Sequence, residues 1–436
     1  MKPLAGSNTV KGTINEGMDV ELALQLGKII GRAYGSPVAV AMDGRTSNVM
    51  LKTALASGIM SVGCDVYDLG AVPTPIIQYY MALHPEVNGG VAITASFAGQ
   101  DINGFKVMKT GGLDDSIFYD YTIESIMAEE IPGVPGLQVG EIYKVEDFID
   151  GYIESILSLV DTEAIRNANM RICLDCRNVA VIPIVKDILM RLKVDCVTIS
   201  GDTSVLGPDR MTKLGHFVQS QGLDLGVAIE MDADSCLFAD DTGQPVSGDK
   251  SFAVLAKSLL AEKKGKVVIP INSSTLMEDA ITENGGFALH CTVGEYTVVR
   301  KVKENDAVMG GDFYGCIVIP GEFCINDSMV VMVKMLEIVA KEGYLSSLIS
   351  SFPDYFLSKG SFECPEEKMD KVIQSFKKMY DGSEMDLVDG VKVILDDGWL
   401  LVRPSNVKGV VKVYAQANDR ESADKLVSDT IDKLKL

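Results

Sequence analysis

The sequence predicts an α/β protein built from three similar α/β units and a smaller α+β unit at the C-terminal end. Three observations carry this. Short β-rich runs alternate with helix-length amphipathic stretches, the pattern of βαβ units. That alternation repeats three times along the 436 residues, as expected of similar domains in series. After Phe352-Pro-Asp-Tyr355 the pattern changes to a charged helix and closely spaced strands. At roughly 100–200 residues per domain, the length allows two to four domains.

The first unit opens with an apolar strand over 38–43 that ends in a polar turn, then a helix over 50–62 and a strand over 65–69. The second repeats this with a strand over 171–175, a helix over 185–192 and a strand over 196–200. The third does so with a strand over 266–271, a helix over 275–284 and a strand over 287–291. Each unit then adds an apolar strand that runs into a Gly- or Asp-rich loop. These are 90–96 leading to Asn103-Gly-Phe-Lys106, 225–230 leading to Met231-Asp-Ala-Asp-Ser235, and 306–309 leading to 310–315. Ligands of open α/β sheets bind outside the carboxyl ends of strands, so the three loops are expected to face one cleft. The tail comprises a helix over 365–379, a turn at Asp396-Asp-Gly398, a strand over 399–402, the stretch 403–414 and a closing helix over 422–434. The expected domains are 1–152, 153–252, 253–362 and 363–436.

Composition narrows the function. Sixty-one acidic against 40 basic residues give a net charge of −21, which opposes binding to nucleic acid or to an anionic membrane. Three histidines leave little room for a His-rich metal site or a Ser-His-Asp triad. The nine cysteines are odd in number and scattered, unlike a disulfide framework. Cys173-Leu-Asp-Cys176 lies in a strand-like run, where residues three apart point to opposite faces, so a core strand is expected. The start, MKPLAGSN, has no apolar signal region, and the apolar stretch 329–340 is interrupted by Lys334 and Glu337. A cytoplasmic protein is expected.

Three loops carry residues suited to chemistry. Glu230, Asp232 and Asp234 are spaced i, i+2, i+4; in an extended loop that spacing puts three hard oxygen donors on one side, as Mg²⁺ prefers. Ser96 ends a strand and is either a nucleophile or a capping serine, with Lys106 ten residues on as an acid/base or phosphate partner. Arg403, Ser405, Asn406 and Lys408 cluster in one Pro-containing turn. A locally basic turn in so acidic a chain suits capture of a small phosphate.

Taken in order, these loops resemble the α-D-phosphohexomutase family. Gly6-Ser-Asn-Thr-Val-Lys-Gly12 stands where the family has G-T-S-G-I-R-G, and Asp43-Gly-Arg-Thr-Ser47 and Val72-Pro-Thr-Pro75 match first-domain landmarks. Thr94-Ala-Ser96 with Asn103-Gly-Phe-Lys106 resembles the active-serine loop. Glu230-Met-Asp-Ala-Asp-Ser235 sits at the metal loop, Gly311-Asp-Phe-Tyr-Gly-Cys316 at the sugar loop, and Arg403-Pro-Ser-Asn406 at the phosphate loop. The resemblance implies three α/β domains with mixed sheets and a smaller α+β domain around a central cleft. It implies a phosphorylated Ser96 that exchanges phosphoryl groups with a small sugar phosphate through a 1,6-bisphosphate, which also serves as activator. It implies Lys106 and Lys11 in catalysis, and one Mg²⁺ held by Glu230, Asp232, Asp234 and Ser96. Asp312 and Tyr314 would meet the sugar, Arg403, Ser405, Asn406 and Lys408 the phosphate, in a monomer or homodimer.

Several positions depart from the family pattern. His-Asn-Pro after the serine is Phe97-Ala-Gly99, the first metal Asp is Glu230, and Met231 and Ser235 replace a glycine and an arginine. Tyr314 and Cys316 replace serine and histidine, and Val407-Lys-Gly409 replaces Thr-Glu-Pro. Two readings follow: a divergent phosphohexomutase, or a non-catalytic paralogue that binds sugar phosphate or a partner. Retention of Ser96 together with three acids favours the enzyme.

Overall fold

The computed structural model describes residues 4–6, 9–96, 98–114, 123–199, 208–321, 323–405 and 409–435. Their contacts divide the chain into two compact units. One consists of Met1–Val246 with Gly321–Ser346, the other of Ser247–Pro320 with Ser347–Leu436. Each unit carries two sheets among the described residues.

Three of the four sheets share one topology. In the first, Val38–Met42 pairs in parallel with Val66–Ala71 on one side and Gly89–Ile93 on the other, and Ile102–Lys109 joins antiparallel to Gly89–Ile93. In the second, Arg171–Cys176 lies between Asp195–Ile199 and Leu225–Ile229, with Cys236–Ala239 antiparallel. In the third, Lys266–Pro270 lies between Phe287–Cys291 and Met309–Gly311, with Ile317–Val318 antiparallel. The sheets are mixed, and in each the chain changes direction across its first strand. The loops after the first and third strands therefore lie side by side at the carboxyl end, where α/β sheets bind ligands. The fourth sheet is antiparallel throughout, in the order Phe356–Glu363, Val410–Ala417, Gly398–Pro404, Val391–Leu395, Met385–Asp386.

Local sequence explains the elements. The helix Val20–Tyr34 starts where the Asp19 side chain accepts the Leu22 amide at 2.9 Å, and it ends at Gly35 with φ of 80°. It crosses the helix Asn48–Ser61 at two glycines. A Cβ on Gly58 would lie 2.1 Å from the Leu24 carbonyl oxygen, and one on Gly27 2.2 Å from that of Leu55. Backbone thus meets backbone above the buried face of Val38, Val40, Val91 and Ile93. Cys173 and Cys176 both sit buried in one strand, and burial pushes each thiol up to about 12, which keeps them protonated packing groups.

Two elements differ from expectation: Asn103-Gly-Phe-Lys106, expected in a loop, lies within the strand Ile102–Lys109, and one strand of the third sheet starts late. The strand expected over 306–309 begins only at Met309 and runs to Gly311. Asp306 takes a left-handed φ of 48°, and the Ala307 amide returns to the Val302 carbonyl at 3.0 Å, so these residues close the preceding helix. Gly310 enters the strand because a Cβ there would strike Val302 at 2.5 Å.

The helix Ser328–Glu342 belongs to the first unit. Asp327 caps it, accepting from the Met329 amide at 2.9 Å and the Tyr152 hydroxyl at 2.8 Å, and burial pushes its carboxyl up to about 6. Ser328 donates both its hydroxyl (2.7 Å) and its amide (3.1 Å) to the Ala233 carbonyl. Among the described residues no helix is long and apolar enough to cross a membrane.

The helix crossing yields a test. Gly58→Ala forces two backbones apart, and overpacking of this kind costs about 1–3 kcal/mol. A lowered thermal midpoint is expected, and an unchanged one contradicts the contact.

Candidate active site

Ser96 follows the strand Gly89–Ile93 in a left-handed conformation, φ of 53°, which a non-glycine residue adopts only when its surroundings compel it. They do so through backbone contacts. The Ser96 amide donates to Thr94 Oγ1 at 3.2 Å, and Thr94 Oγ1 donates to Asp43 Oδ2 at 2.8 Å. Arg45 Nη2 donates to the carbonyls of Ser96 (2.8 Å) and Ala98 (2.9 Å), while Arg45 Nη1 pairs with Asp43. Asn48 Nδ2 fixes Asp43 from the other side, donating to its carbonyl and to Oδ1, each at 2.7 Å. Asn103 Nδ2 then donates to Asn48 Oδ1 at 2.7 Å. The serine loop is thus held by the loop of the neighbouring strand, while the half-buried Ser96 hydroxyl makes no hydrogen bond among the described residues.

Lys106 lies on the adjacent antiparallel strand and reaches the second sheet, with Nζ 3.1 Å from Asp234 Oδ2. Both partners are buried, at 7% and 3% exposure. Burial alone pushes the Asp234 carboxyl up, but the Lys106 ammonium and the Ser235 hydroxyl outweigh it and hold the group below the ordinary carboxylate range. The register sets Lys11 opposite Gly104 and Thr9 opposite Lys106, so Lys11 and Lys106 are diagonal neighbours on one face.

The acidic loop is a turn, not the extended segment its spacing predicts. Ala233 takes φ of 59°, its amide donates to the Glu230 carbonyl at 3.1 Å, and the Glu230 amide donates to the Ser235 carbonyl at 3.2 Å. Turning removes the period-2 alignment. Glu230 pairs with Arg210 at 2.7 Å, while Asp234 pairs with Lys106. Among the described residues no three His, Cys, Asp or Glu side chains gather as a metal site. Asp232 lies against Asp234, while Glu230 and Asp234 are engaged by Arg210 and Lys106. Met231 in place of a glycine is accommodated because the left-handed position of the turn is Ala233. The Met231 side chain is buried, and its carbonyl accepts Asn178 Nδ2 at 2.6 Å.

Arg210 was not legible as a site residue. It lies near the start of the helix Pro208–Gln221, donates to Asp175 Oδ2 (2.9 Å), the Ile229 carbonyl (2.9 Å) and Glu230, and is buried. Nothing local in Pro208-Asp-Arg210 signals this; only the fold brings it to the ends of two strands.

In the second unit, Asp312 turns inward: Oδ1 accepts the amides of Tyr314 (2.8 Å) and Cys316 (3.2 Å), shaping the expected sugar loop. Tyr314 is half exposed under Lys359, whose Nζ sits 5.2 Å from the ring centre. Arg403 is buried, with Nε donating to Asp389 Oδ2 at 2.7 Å. Lys412 stands directly opposite Arg403, and Lys359 opposite Tyr414, one step further on the same face. Burial, then Arg403 and Lys359, push the Lys412 pKa down, the mark of cations crowded together. The Ser405 amide donates to the Val410 carbonyl at 2.8 Å. Asn406 and Lys408 lie outside the described residues, as does Phe97.

In one unit, then, a serine loop is held by Arg45 and Thr94 next to the strand of a buried lysine; in the other, Lys359, Arg403 and Lys412 line one strand face. Residues 2–132, 150–243, 247–355 and 362–433 match the phosphoglucomutase/phosphomannomutase alpha/beta/alpha domains I, II and III and C-terminal domain, respectively. The chain belongs to this family, and it is a phosphohexose mutase, an isomerase. It is 32% identical to a phosphoglucomutase/phosphomannomutase of Thermococcus kodakarensis, covering 97% of this chain and 96% of that one. It is 30% identical to a phosphoglucosamine/phosphogalactosamine mutase of Sulfurisphaera tokodaii, covering 98% of each. The fold is also that of a phosphoglucomutase/phosphomannomutase family protein of Burkholderia thailandensis, with a TM-score of 0.82, 22% identity and coverage of 98% and 96%. The family is generally Mg²⁺-dependent and works through a phosphoserine and a sugar bisphosphate.

Two tests address the clamps. Lys106→Met leaves Asp234 charged and buried, which costs about 3–5 kcal/mol; Asp234→Asn in the same chain should recover most of it in denaturant unfolding. Because the Asp234 pKa is depressed, its contribution is present above the ordinary carboxylate pKa of about 3.9 and is lost as pH falls through its lower folded value. Arg45→Met releases the Ser96 and Ala98 carbonyls and leaves Asp43 buried without its cation; turnover should fall about 100-fold, and the thermal midpoint should drop as well, since removing one partner of a buried ion pair costs about 3–5 kcal/mol.

Proposed function

We propose that Ser96 is the phosphoryl carrier of this mutase and that its substrates are hexose 1- and 6-phosphates, with domains 1–152, 153–252, 253–362 and 363–436 as working parts. The observation that supports this is a hydroxyl with no hydrogen bond among the described residues, on a loop whose left-handed backbone is held by Arg45 and Thr94. Phospho-Ser96 transfers its phosphoryl group to the free hydroxyl of a hexose monophosphate, giving a 1,6-bisphosphate and free Ser96. After the bisphosphate reorients, Ser96 takes the other phosphoryl group and the isomeric monophosphate leaves. Positioning and charge neutralisation dominate such transfers. Lys106, paired with Asp234, suits charge neutralisation at the transferred group. Lys11 would share that face. Asp312 and Tyr314 would position the sugar ring, with Arg403, Ser405, Asn406 and Lys408 on the phosphate that is not reacting, and Lys359 and Lys412 adding charge.

Glu230, Asp232 and Asp234 carry the hard oxygens that Mg²⁺ takes, with Ser96 as a further donor, but two of the three carboxylates are engaged by Arg210 and Lys106. The steps above use no metal. Arg210 supplies at this loop the guanidinium that Ser235 does not. A non-catalytic paralogue is not favoured, because relatives matched over nearly the whole chain are mutases.

Intact mass spectrometry tests the carrier. Incubation with glucose 1,6-bisphosphate should add one phosphoryl group to the wild type and none to Ser96→Ala, and the variant should lose at least about 10³-fold in turnover. Equal labelling of both proteins, or no turnover by the wild type on glucose, mannose and glucosamine phosphates, defeats the assignment.

A further inference from the structure

A second charge cluster lies in the second unit, where the third sheet meets the fourth. His290, on the strand Phe287–Cys291, has Nδ1 2.6 Å from Asp386 Oδ2 and Nε2 3.2 Å from Glu278 Oε1. Lys392 Nζ lies 3.0 Å from the same Glu278 oxygen and 4.8 Å from the ring centre of Trp399, the only tryptophan of the chain. The charged groups facing His290 are therefore Glu278 from the helix Thr275–Glu283, Asp386 from the strand Met385–Asp386, and Lys392 from the strand Val391–Leu395.

The segment carrying Asp386 also reaches the phosphate face. Three residues on, Asp389 Oδ2 accepts the Val293 amide at 2.9 Å and Arg403 Nε at 2.7 Å. Gly390 packs so tightly that a Cβ there would lie 2.7 Å from the Arg403 Cα. Residues 386–390 are thus tied to the third sheet at two points, His290 and Val293, and they hold Arg403 by a charge and by contact.

We propose that His290 is a positioning residue for Arg403. As an imidazolium it locks residues 386–390 against the third sheet and so fixes the guanidinium that takes the substrate phosphate; on losing its proton it releases that segment and phosphate affinity falls. This rests on the assignment of Arg403 to phosphate made above. A neutral imidazole has one N–H, so it serves Glu278 or Asp386 but not both. The Glu278 carboxylate beside Nε2, against burial and with Asp386 added, holds the His290 pKa above its ordinary value. Glu278 stays anionic: burial pushes it up, but His290 and Lys392 bring it down to about 2. The folded pKa of His290 is raised, so the lock is complete below the ordinary histidine pKa of about 6.5 and is lost as pH rises through the higher folded value.

Trp399 reports the lock through Lys392, which lies over its ring and pairs with Glu278, the residue that faces His290. Emission of the full chain is followed from pH 6 to 9, and the Kd for glucose 6-phosphate is measured by calorimetry over the same range, in wild type and His290→Gln. Comparing the two proteins at each pH cancels titration of the ligand phosphate. One emission transition is expected in the wild type and none in the variant. The wild type should bind about tenfold tighter at pH 6, with the ratio approaching one at pH 9. A transition that survives in His290→Gln, or an affinity ratio independent of pH, overturns the proposal. If glucose 6-phosphate binds at no pH while the transition is present only in the wild type, the assignment of Arg403 to phosphate is what fails, and the lock stands.

Discussion

The ion pair between Lys106 and Asp234 fastens the serine-bearing sheet to the acidic loop of its neighbour. Withdrawing two charges from water is expensive, and a pair of this kind is tolerated only when geometry and further hydrogen bonds are good. Here they are. The turn that carries Asp234 is held by Asn178 through the Met231 carbonyl, by Ser328 through the Ala233 carbonyl, and by the Thr74 amide through the Asp232 carbonyl. Around this pair the two sheets are joined by a polar network whose members depend on one another. Its value is geometric definition, because apolar contacts alone would leave the loops free to slide.

The two sheets secure their loops by the same means from different places in the sequence. Arg45 follows directly after its strand and spans to the Ser96 loop; Arg210 comes from a helix 35 positions beyond Asp175 and spans to Glu230. In both cases a planar guanidinium with several donors bridges an aspartate at the end of the first strand and the loop of the third. The shared strand order creates the same gap in each sheet, and an arginine fills it. The third sheet closes its gap differently: Thr275 and Gln416 exchange hydrogen bonds, and Ile271 packs on Trp399, Leu401 and Tyr414 of the fourth sheet.

Much of the fold was legible. The three strand–helix–strand repeats appear because parallel strands covered on both faces must be continuously apolar, and their helices must be amphipathic. The late start of the strand at Met309 was not legible, because a glycine pair reads as a loop until the helix above it is known. Ser96 and Lys106 stood out from local motifs, and the structure sets Ser96 just after one strand and Lys106 on the strand next to it. Period-2 reasoning assumed an extended backbone for Glu230, Asp232 and Asp234, and the left-handed Ala233 makes that loop a turn instead. Arg210, Asp389 and His290 left no local trace, since each acts on residues made near only by tertiary folding.

The first unit is not continuous in sequence: the chain leaves it after Val246 and returns for Gly321–Ser346. The returning segment is not ornamental, since Ser328 holds the Ala233 carbonyl and Asp327 takes the hydroxyl of Tyr152. During synthesis, then, the acidic turn is made long before its support emerges from the ribosome. The nascent chain must carry an unfinished first unit while the start of the second is translated, a window in which its open strands are exposed to other chains and to chaperones. The order of assembly is set by connectivity, and the unit that comes first in sequence is completed late.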